Sequence, residues 1–570
     1  MFEFDLKHIP FSYPDSYLAF SYLEGKYPPG LYLRSVRGGP ELGALCRLEI
    51  LAAGEPGPGS ATACPFCLKL EGNSGLVEFC FAAPQAIRLR GKGSGLRLVF
   101  MMKDYDCALP LGRDWQITCA SQGIKLLLRS ITGGMKADVV WGEFGCSRVV
   151  IDFLPENAGG LFEAAIEEFI TSPSVSREDD LSFDDCLARN QVAFESFMER
   201  LPAVPAAYAK AREMAAYVLW SAVVKADGHL KRRAILMSKN WMTNVWSWDH
   251  CFNAMAVARG IPFLAWAQFM LPFEVQAADG ALPDFINSRN IYWSFCKPPI
   301  HGWALAWMMR RSRFFYEKNR LVEVYEPLSK WTLWWLTCRD SDGDGIPEYH
   351  HGNDSGWDNA TVFQVGSPVE GPDLSAYLVL QMETLAEMAE KLGRDGEAAQ
   401  WKTQAVDLLR RLLEHSWRDG RFLAPRSGDH RTFDEGDSLL PFLPVILGPR
   451  LPEHVRSALV TGLKQEGRFL TPYGLATESL FSPYYHSDGY WRGPVWAPPT
   501  LLIVDGLRSM GEEELSREIA RRFCDLVAKS GTAENFDALS GEGLRDRAYT
   551  WTASIFLILA NEYLENGKKH

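Results

Sequence analysis

The pattern of apolar and polar positions changes near residue 205. Up to about Ser182, short apolar runs alternate with clusters of Gly, Pro and Ser, and 87–90 shows strict apolar-polar alternation in the order Ile, Arg, Leu, Arg. This spacing is typical of an antiparallel β-sandwich whose strands each bury one face. We therefore predict an N-terminal β-sandwich domain over 1–182.

The rest of the chain is dominated by long segments with helical periodicity. FEAAIEEFI and FDDCLARNQVAFESFMERL, between about Gly160 and Leu201, predict helices that connect the two parts of the chain, with a helical linker at 183–204. After Pro205 about twelve amphipathic segments follow, among them AYAKAREMAAYVLWSAVV, AYLVLQMETLAEMAEKLG, DSLLPFLPVI and TASIFLILANEYL. Twelve helices in antiparallel pairs favour a mainly α fold with an (α/α)6 toroid over 205–570.

Composition and charge narrow the function classes. The 570 residues are 47% hydrophobic and 23% charged, which indicates a globular protein with more than one domain. A net charge of −12 argues against nucleic-acid and membrane partners. The N-terminus shows no secretory signal and the 12 Cys form no dense disulfide pattern, so we expect a cytoplasmic protein with reduced thiols. These patterns leave the oligomeric state open.

Three carboxylates with alternate spacing mark a candidate cation site. Asp340, Asp342 and Asp344 stand two residues apart with intervening and following glycines, as in the first half of a calcium loop, although the bidentate Glu of an EF-hand is missing at its usual distance. The alternative is an Asx turn without metal, since Asp and Gly favour such turns.

Two acidic loops carry the candidate chemistry. One spans 352–360 and contains Asp354 and Asp358, and the other spans 533–543 and contains Glu534. Hydrolysis of a glycosidic bond needs one carboxyl group that donates a proton and one carboxylate that activates water. Loops that are distant in sequence can supply this pair across one mouth, whereas the simpler interpretation of each loop is a solvated connection.

Aromatic and polar residues at other loop-to-helix junctions are candidates for sugar binding. Each Trp can instead be a packing residue, Asp249 an N-cap, and His301 a buried histidine with a satisfied hydrogen bond. Arg492 can bind an acidic leaving group or pair with a structural carboxylate. The candidates are Trp246, Trp248, Asp249, Asp284, His301, Asp354, Trp357, Trp491, Arg492 and Trp496.

Several motifs together resemble glycoside hydrolase family 63. They are WSWDHCF, PPIH, SGWDN, YWRGPVW and AENFDALSGEG, and they cover roughly residues 200–570. Trehalases carry similar SGWD and WRGP segments. The resemblance implies an (α/α)6 catalytic barrel, often after a β-sandwich, and an inverting mechanism. It also implies Asp358 as general acid and Glu534 as general base.

The resemblance carries further implications for the metal loop and the substrate. Relatives with a similar Asp-rich loop can hold calcium, which implies Asp340, Asp342 and Asp344 as ligands, with Glu387 as a further candidate. Many relatives have Glu where this chain has Asp354, so the reach of this side chain toward sugar hydroxyls differs.

The resulting hypothesis is an inverting, exo-acting α-glycosidase, first of all an α-glucosidase, whose chemistry requires no cofactor. It expects Asp358 to be protonated through burial beside Trp357 and Glu534 to be ionised. The alternatives are a mannosyl- or glucosylglycerate hydrolase, a trehalase-like hydrolase, a phosphorylase or isomerase on the same fold, and a sugar-binding protein without turnover. Phosphate dependence, ketose formation, or binding without product would distinguish the last three.

Overall fold

The computed structural model describes residues 2–38, 43–157, 159–173 and 181–564. The chain folds into two compact units. The first consists of Met1–Glu199, Tyr217–Lys225 and Ser238–Thr243, and the second of Arg200–Ala216, Ala226–Met237 and Asn244–His570. Helix Phe183–Glu199, in the region predicted as a linker, is therefore part of the first unit. No helix among the described residues is both long and apolar enough to cross a membrane.

The first unit is built on two eight-stranded antiparallel sheets. Its strands are β1 (Phe11–Ser12), β2 (Leu18–Leu23), β3 (Gly30–Ser35), β4 (Ala44–Ala52), β5 (Glu55–Pro56), β6 (Gly59–Cys64), β7 (Cys67–Gly72), β8 (Gly75–Ala83), β9 (Ala86–Lys92), β10 (Gly95–Phe100), β11 (Cys107–Leu111), β12 (Asp114–Cys119), β13 (Ile124–Thr132), β14 (Gly134–Trp141), β15 (Cys146–Leu154) and β16 (Leu161–Phe169). One sheet has the order β1-β2-β3-β4-β10-β15-β14 with β5 on β4, and the other β11-β12-β13-β16-β9-β8-β7-β6. The prediction of an N-terminal β-rich region is confirmed.

Alternation along the strands explains how this unit forms its core. In β10, Leu96 and Leu98 are fully buried, whereas Arg97 between them points to the other face. Its guanidinium donates to both carboxylate oxygens of Asp152 on the neighbouring strand, at 2.8 and 2.9 Å. The apolar face is therefore buried and the polar face is neutralised by a cross-strand pair.

The helix predicted over 162–170 is wrong, because these residues form β16. This strand pairs with β13 on one side and with β9 on the other. Phe162, Ala164 and Ile166 are at most 1% exposed, and Glu168, which continues the same face of the strand, is buried and pairs with Arg37. FEAAIEEFI fits a period of two as well as a helical period, and pairing on both sides selects the strand. The second predicted helix, α1 (Phe183–Glu199), is present.

The second unit is mainly helical. The helices that follow α1 are α2 (Ala209–Ala222), α3 (Asp249–Val257), α4 (Pro262–Met270), α5 (His301–Met309), α6 (Lys318–Cys338), α7 (Pro372–Leu392), α8 (Asp395–Ser416), α9 (Glu453–Lys464), α10 (Ala497–Ser509), α11 (Glu513–Ser530) and α12 (Thr550–Leu559). Two-residue strands lie at Val223–Val224, Ala234–Ile235, Val245–Trp246, Phe285–Ile286, Ile291–Tyr292, Trp417–Arg418, Arg421–Phe422, Leu470–Thr471, Gly474–Leu475, Val495–Trp496, Asn535–Phe536 and Gly543–Leu544. Residues 217–222 of α2 and the strand Val223–Val224 belong to the first unit, and the rest of these elements belong to the second.

One segment that was predicted as an α-helix forms a 3-10 helix. It spans Leu440–Arg450 and contains Pro444 and Pro449, which lack the N–H groups that an α-helix interior needs. Gly448 adopts φ 59°, which interrupts the helical backbone. The segment is still packed as a helix would be, against α7 and α10.

Six of these segments pack in a closed cycle. Helix α3 packs on α5, α5 on α7, α7 on Leu440–Arg450, that segment on α10, α10 on α12, and α12 on α3. Every residue of α3 and α12 is buried, as expected for helices covered on all sides, whereas α11, which packs against α10 and α12, has one apolar face. The loops at the ends of these helices carry the acidic motifs.

Candidate active site

The loop with the candidate general acid is fixed by a tight turn against a Trp ring. Gly352–Ser355 form a 3-10 turn, and Gly356 follows with φ 71°. A Cβ atom at Gly356 would come within 2.5 Å of the Trp248 ring, so both the backbone angle and the close approach require glycine. Trp357 is then buried, whereas Asp358 is partly exposed. The expectation that Asp358 is buried is therefore not met.

Asp354, a predicted sugar ligand, is committed to holding this loop. Its Oδ1 accepts from the backbone N–H of Cys296 at 3.1 Å, and its Oδ2 accepts from the N–H of His350 at 3.0 Å and from Arg339 at 3.1 Å. The side chain is 2% exposed. Since both oxygens are already bonded within the protein, Asp354 positions the acid loop instead of binding sugar hydroxyls.

A small three-stranded sheet positions the candidate general base. Asn535–Phe536, directly after Glu534, pair with Val495–Trp496 on one side and Gly543–Leu544 on the other. The backbone N–H of Glu534 donates to the carbonyl of Asp546 at 2.7 Å. This sheet brings the Glu534 loop next to the YWRGPVW motif.

Two residues beside Glu534 hold strained backbone conformations. Tyr490, whose hydroxyl lies beside the Glu534 carboxylate and lowers its pKa, has φ 64°, and Arg545 has φ 59°. The Arg545 guanidinium lies 4.8 Å from the centre of the Tyr490 ring. Positive φ at residues other than glycine is costly and is concentrated at functional sites.

Burial gives Glu534 an unusual proton affinity. The side chain is 2% exposed, and desolvation together with the nearby Asp546 raises its pKa to about 8, while Arg545 and the Tyr490 hydroxyl oppose this rise. This rise opposes the ionised state that was expected for Glu534. A carboxyl group with this pKa loses its proton readily only near or above pH 8.

Asp249, Asp284 and Lys297 are buried polar residues, and the charge of Asp358 acts on the two carboxyl groups. Asp249 is 3% exposed, and its Oδ2 has no hydrogen-bond partner among the described residues. Burial raises the pKa of Asp249 well above its usual range, against the effect of Lys297. Asp284 pairs with Lys297 at 2.9 Å, and the charge of Asp358 contributes to raising the pKa of both Asp249 and Asp284. An unpartnered buried carboxyl oxygen here is suited to a sugar hydroxyl.

Most of the predicted aromatic ligands form a buried wall. The rings of Trp491 and Trp496 stack 3.9 Å apart, and Trp357 and Trp551 extend this contact. Trp248 meets Trp551 edge to face at 6.1 Å. These Trp rings are at most 4% exposed. They therefore pack beneath the loops that carry Asp358 and Glu534, as in the packing alternative.

Trp246 and His301 differ in their surroundings. Trp246 is partly exposed and packs 5.4 Å from the Phe285 ring, so it remains a candidate for sugar contact. His301 is fully buried, and its Nε2 is 2.7 Å from the carbonyl of Ser247, with Phe273 edge to face. His301 therefore lies within the helix core, and its Nδ1 has no hydrogen-bond partner among the described residues.

An open cavity of about 620 Å³ is lined by Asn359, the chain neighbour of Asp358, and by Tyr490, whose hydroxyl lies beside Glu534. The Arg492 Nε donates to the carbonyl of Asn359 at 2.6 Å, and Arg545 pairs with Asp488 at 2.6 Å. Within the described part of the chain, the terminal nitrogens of Arg492 donate no hydrogen bond. The cavity is lined by Asn359, His486, Ser487, Asp488, Gly489, Tyr490, Arg492 and Arg545.

Four residues of the site were missed as candidates. Tyr490 lies inside YWRGPVW, Lys297 directly precedes PPIH and Asn359 follows the acid in SGWDN, so each motif could have drawn attention to them. Arg545 stands in no motif. Its place was not predictable because it depends on the pairing of Gly543–Leu544 with the base strand.

The predicted calcium ligands are only partly brought together. Asp340, Asp342 and Asp344 each place a carboxylate oxygen within 4.8 Å of the others. Asp340 also accepts from the N–H groups of Gly343 and Gly345, as in the Asx-turn alternative. Glu387 is elsewhere: it accepts from the Tyr316 hydroxyl and belongs to none of the candidate metal clusters in the described ranges. Calcium itself stays a prediction.

Comparison with known proteins identifies the family of the helical unit. Residues 242–552 match the family described as the mannosylglycerate hydrolase MGH1-like glycoside hydrolase domain. The chain is 32% identical over 389 residues to mannosylglycerate hydrolase MGH1 of Selaginella moellendorffii, a match that covers 55% of this chain and 79% of that protein.

Solved structures share the fold. The crystal structure of GH63 mannosylglycerate hydrolase from Thermus thermophilus in complex with glucose matches with a TM-score of 0.52 at 19% identity, covering 61% of this chain and 99% of that one. A bacterial glucoamylase complexed with acarbose matches with a TM-score of 0.63 at 10% identity, covering 98% of this chain and 93% of that one. From the family match and these relatives we conclude that the chain belongs to the MGH1-like glycoside hydrolases of family 63 and is a glycoside hydrolase.

Proposed function

We propose that the protein hydrolyses a small α-glycoside from its end with inversion of configuration, and that the preferred leaving group is a small carboxylic acid of the glycerate type. The observation that carries the proposal is the position of the open cavity, whose lining residues Asn359 and Tyr490 flank the two candidate catalytic carboxyl groups. We further propose that the closed cycle of helices is the inner ring of an (α/α)6 toroid.

In this mechanism the two carboxyl groups act on opposite sides of the anomeric carbon. Asp358 donates a proton to the glycosidic oxygen as the bond from the anomeric carbon to that oxygen breaks. Glu534 removes a proton from the water that attacks the opposite face, so the product has the inverted anomeric configuration. Tyr490 and Arg545 support this role because both favour the ionised form of Glu534.

The charge of the cavity supports an acidic leaving group. Arg545 is neutralised by its ion pair with Asp488, whereas the terminal nitrogens of Arg492 remain available for a carboxylate. Guanidinium groups bind carboxylates through two parallel hydrogen bonds. The curated relative MGH1 is named as a mannosylglycerate hydrolase, and mannosylglycerate has such a leaving group.

A neutral α-glucoside, as cut by an α-glucosidase or a trehalase-like enzyme, is the second candidate. The buried oxygen of Asp249 that lacks a partner among the described residues and the partly exposed Trp246 are suited to a neutral sugar ring, whatever the leaving group. The two candidate substrates differ in whether Arg492 binds a carboxylate of the leaving group.

The test is a comparison of substrates with and without the carboxylate. We expect Arg492→Gln to lower kcat/KM for mannosyl- or glucosylglycerate by about tenfold to a hundredfold, the effect of one charged hydrogen-bonding group. The same change should leave neutral α-glucosides within about twofold. Arg456→Gln removes an equal charge from α9 and is the matched control. Equal loss on both substrate classes, or turnover of neutral glucosides alone, would reject the acidic leaving group.

A further inference from the structure

Two imidazoles and two carboxylates converge in the second unit outside the catalytic pair. Asp344, Glu370, His415 and His430 each offer one ligand atom, and these atoms all lie within 4.8 Å of one another. We propose that this cluster, the mixed cluster below, binds one divalent metal ion of the zinc type, with imidazole and carboxylate ligands.

The separations between the side chains fit a metal centre. His430 Nε2 lies 3.6 Å from Asp344 Oδ2 and 3.8 Å from Glu370 Oε1, and His415 Nδ1 lies 3.5 Å from Asp344 Oδ2. Ligands about 2.1 Å from a tetrahedral zinc ion stand roughly 3.4 Å from each other. These three separations exceed that value by at most about 0.4 Å, and all four ligand atoms lie within 4.8 Å of one another.

Glu370 gives an independent sign of a missing partner. Its side chain is fully buried, and its Oε2 lies 2.5 Å from His415 Nε2. Its Oε1 has no hydrogen-bond partner in the described part of the chain and faces His430. Leaving a buried carboxylate oxygen unsatisfied is costly, and a cation in the mixed cluster would satisfy it.

Separate segments hold the four ligands in place. His415 lies in the last turn of α8, Glu370 just before α7, and Asp344 in the loop after α6. The backbone N–H of Glu370 donates to the carbonyl of Pro425 at 2.8 Å. His430 adopts φ 50° in a turn, and its backbone N–H donates to the carbonyl of Arg426 at 2.9 Å. A metal ion would thus fasten the loop that precedes the acid loop to α7 and α8.

The ligand chemistry distinguishes this site from the predicted calcium loop. Calcium takes oxygen ligands alone, whereas imidazole favours zinc and its neighbours. Both sites would use Asp344, but only the calcium loop needs Asp340, and only the mixed cluster needs His430. These two residues therefore provide a matched pair of variants.

The experiment uses the full chain after removal of metal with a chelator, with Co²⁺ as a visible probe for zinc. We expect one equivalent of Co²⁺ to produce visible absorption bands that Zn²⁺ abolishes and a similar excess of Ca²⁺ does not. His430→Asn and Glu370→Gln should each weaken Co²⁺ binding at least about tenfold, whereas Asp340→Asn should change it less than about twofold. Asn tolerates the positive φ at position 430, so this variant should keep its fold.

Three results would overturn the proposal. They are the absence of saturable Co²⁺ binding by the unmodified chain, equal Co²⁺ affinity in His430→Asn, and preferential Ca²⁺ binding that Asp340→Asn abolishes. The first would mean that the mixed cluster is only a network of ion pairs and hydrogen bonds. The readout is metal binding and not turnover, so failure of the metal proposal leaves the catalytic assignment untouched.

Discussion

At the scale of single residues, the proposed role of Glu534 and its burial favour different protonation states. As a base it must be ionised, yet burial raises its pKa to about 8. Asp358, the candidate acid, is partly exposed. The roles drawn from family resemblance therefore need a test that separates acid from base directly.

A leaving group that needs no protonation separates the two roles. With a glycosyl fluoride as substrate, Asp358→Asn should lose much less activity than with a natural glycoside, because fluoride departs without a general acid. Loss of a general acid costs about 10²–10⁴-fold where protonation is needed. Glu534→Gln should be impaired on both substrates, because water still needs a base. Initial rates of fluoride release measure this, and the opposite pattern would exchange the roles of the two residues.

The raised pKa of Glu534 also predicts a pH-dependent stability. Between pH 4.5 and 8 the unfolded chain releases this proton while the folded protein keeps it, so the free energy of unfolding falls as pH rises through this range. Glu534→Gln removes this penalty and should stabilise the protein above pH 8 by on the order of a few kcal/mol. Below pH 4.5 the two proteins should differ little.

Thermal unfolding of both proteins across this pH range measures the effect. Glu542→Gln, on an exposed position of the same loop region, is the control and should show no such divergence. Parallel Tm curves for Glu534→Gln and the unmodified chain would contradict the buried, proton-holding environment.

At the scale of elements, the acid loop depends on a single glycine. Gly356→Ala forces a side chain into the Trp248 ring at a positive φ, and we expect it to cost about 1–3 kcal/mol in stability and to displace Asp358. Gly396→Ala, where a Cβ atom meets nothing within 4 Å, is the matched control. Circular dichroism melting and kcat/KM report the two effects, and equal behaviour of both variants would show that the turn is not fixed in this way.

At the scale of the whole molecule, the periodic patterns of apolar residues predicted the fold class. The contacts between residues distant in sequence could not be predicted. The change in the spacing of apolar residues near residue 205 separates the β-rich part from the helical part. Five short motifs mark the loops that meet at the site. FEAAIEEFI was misassigned because both periods fit it, and only its neighbours β9 and β13 select a strand. The surroundings of Asp354 and His301 could not be predicted for the same reason, because their hydrogen-bond partners Arg339 and Ser247 are not their neighbours in sequence.

Proton NMR of the anomeric signal at the first moments of hydrolysis tests the central claim most directly. With an α-glycoside cleaved by the unmodified chain, we predict immediate release of the β-anomer, and no release in Glu534→Gln. First appearance of the α-anomer would mean retention of configuration, and would contradict a direct attack of water activated by Glu534.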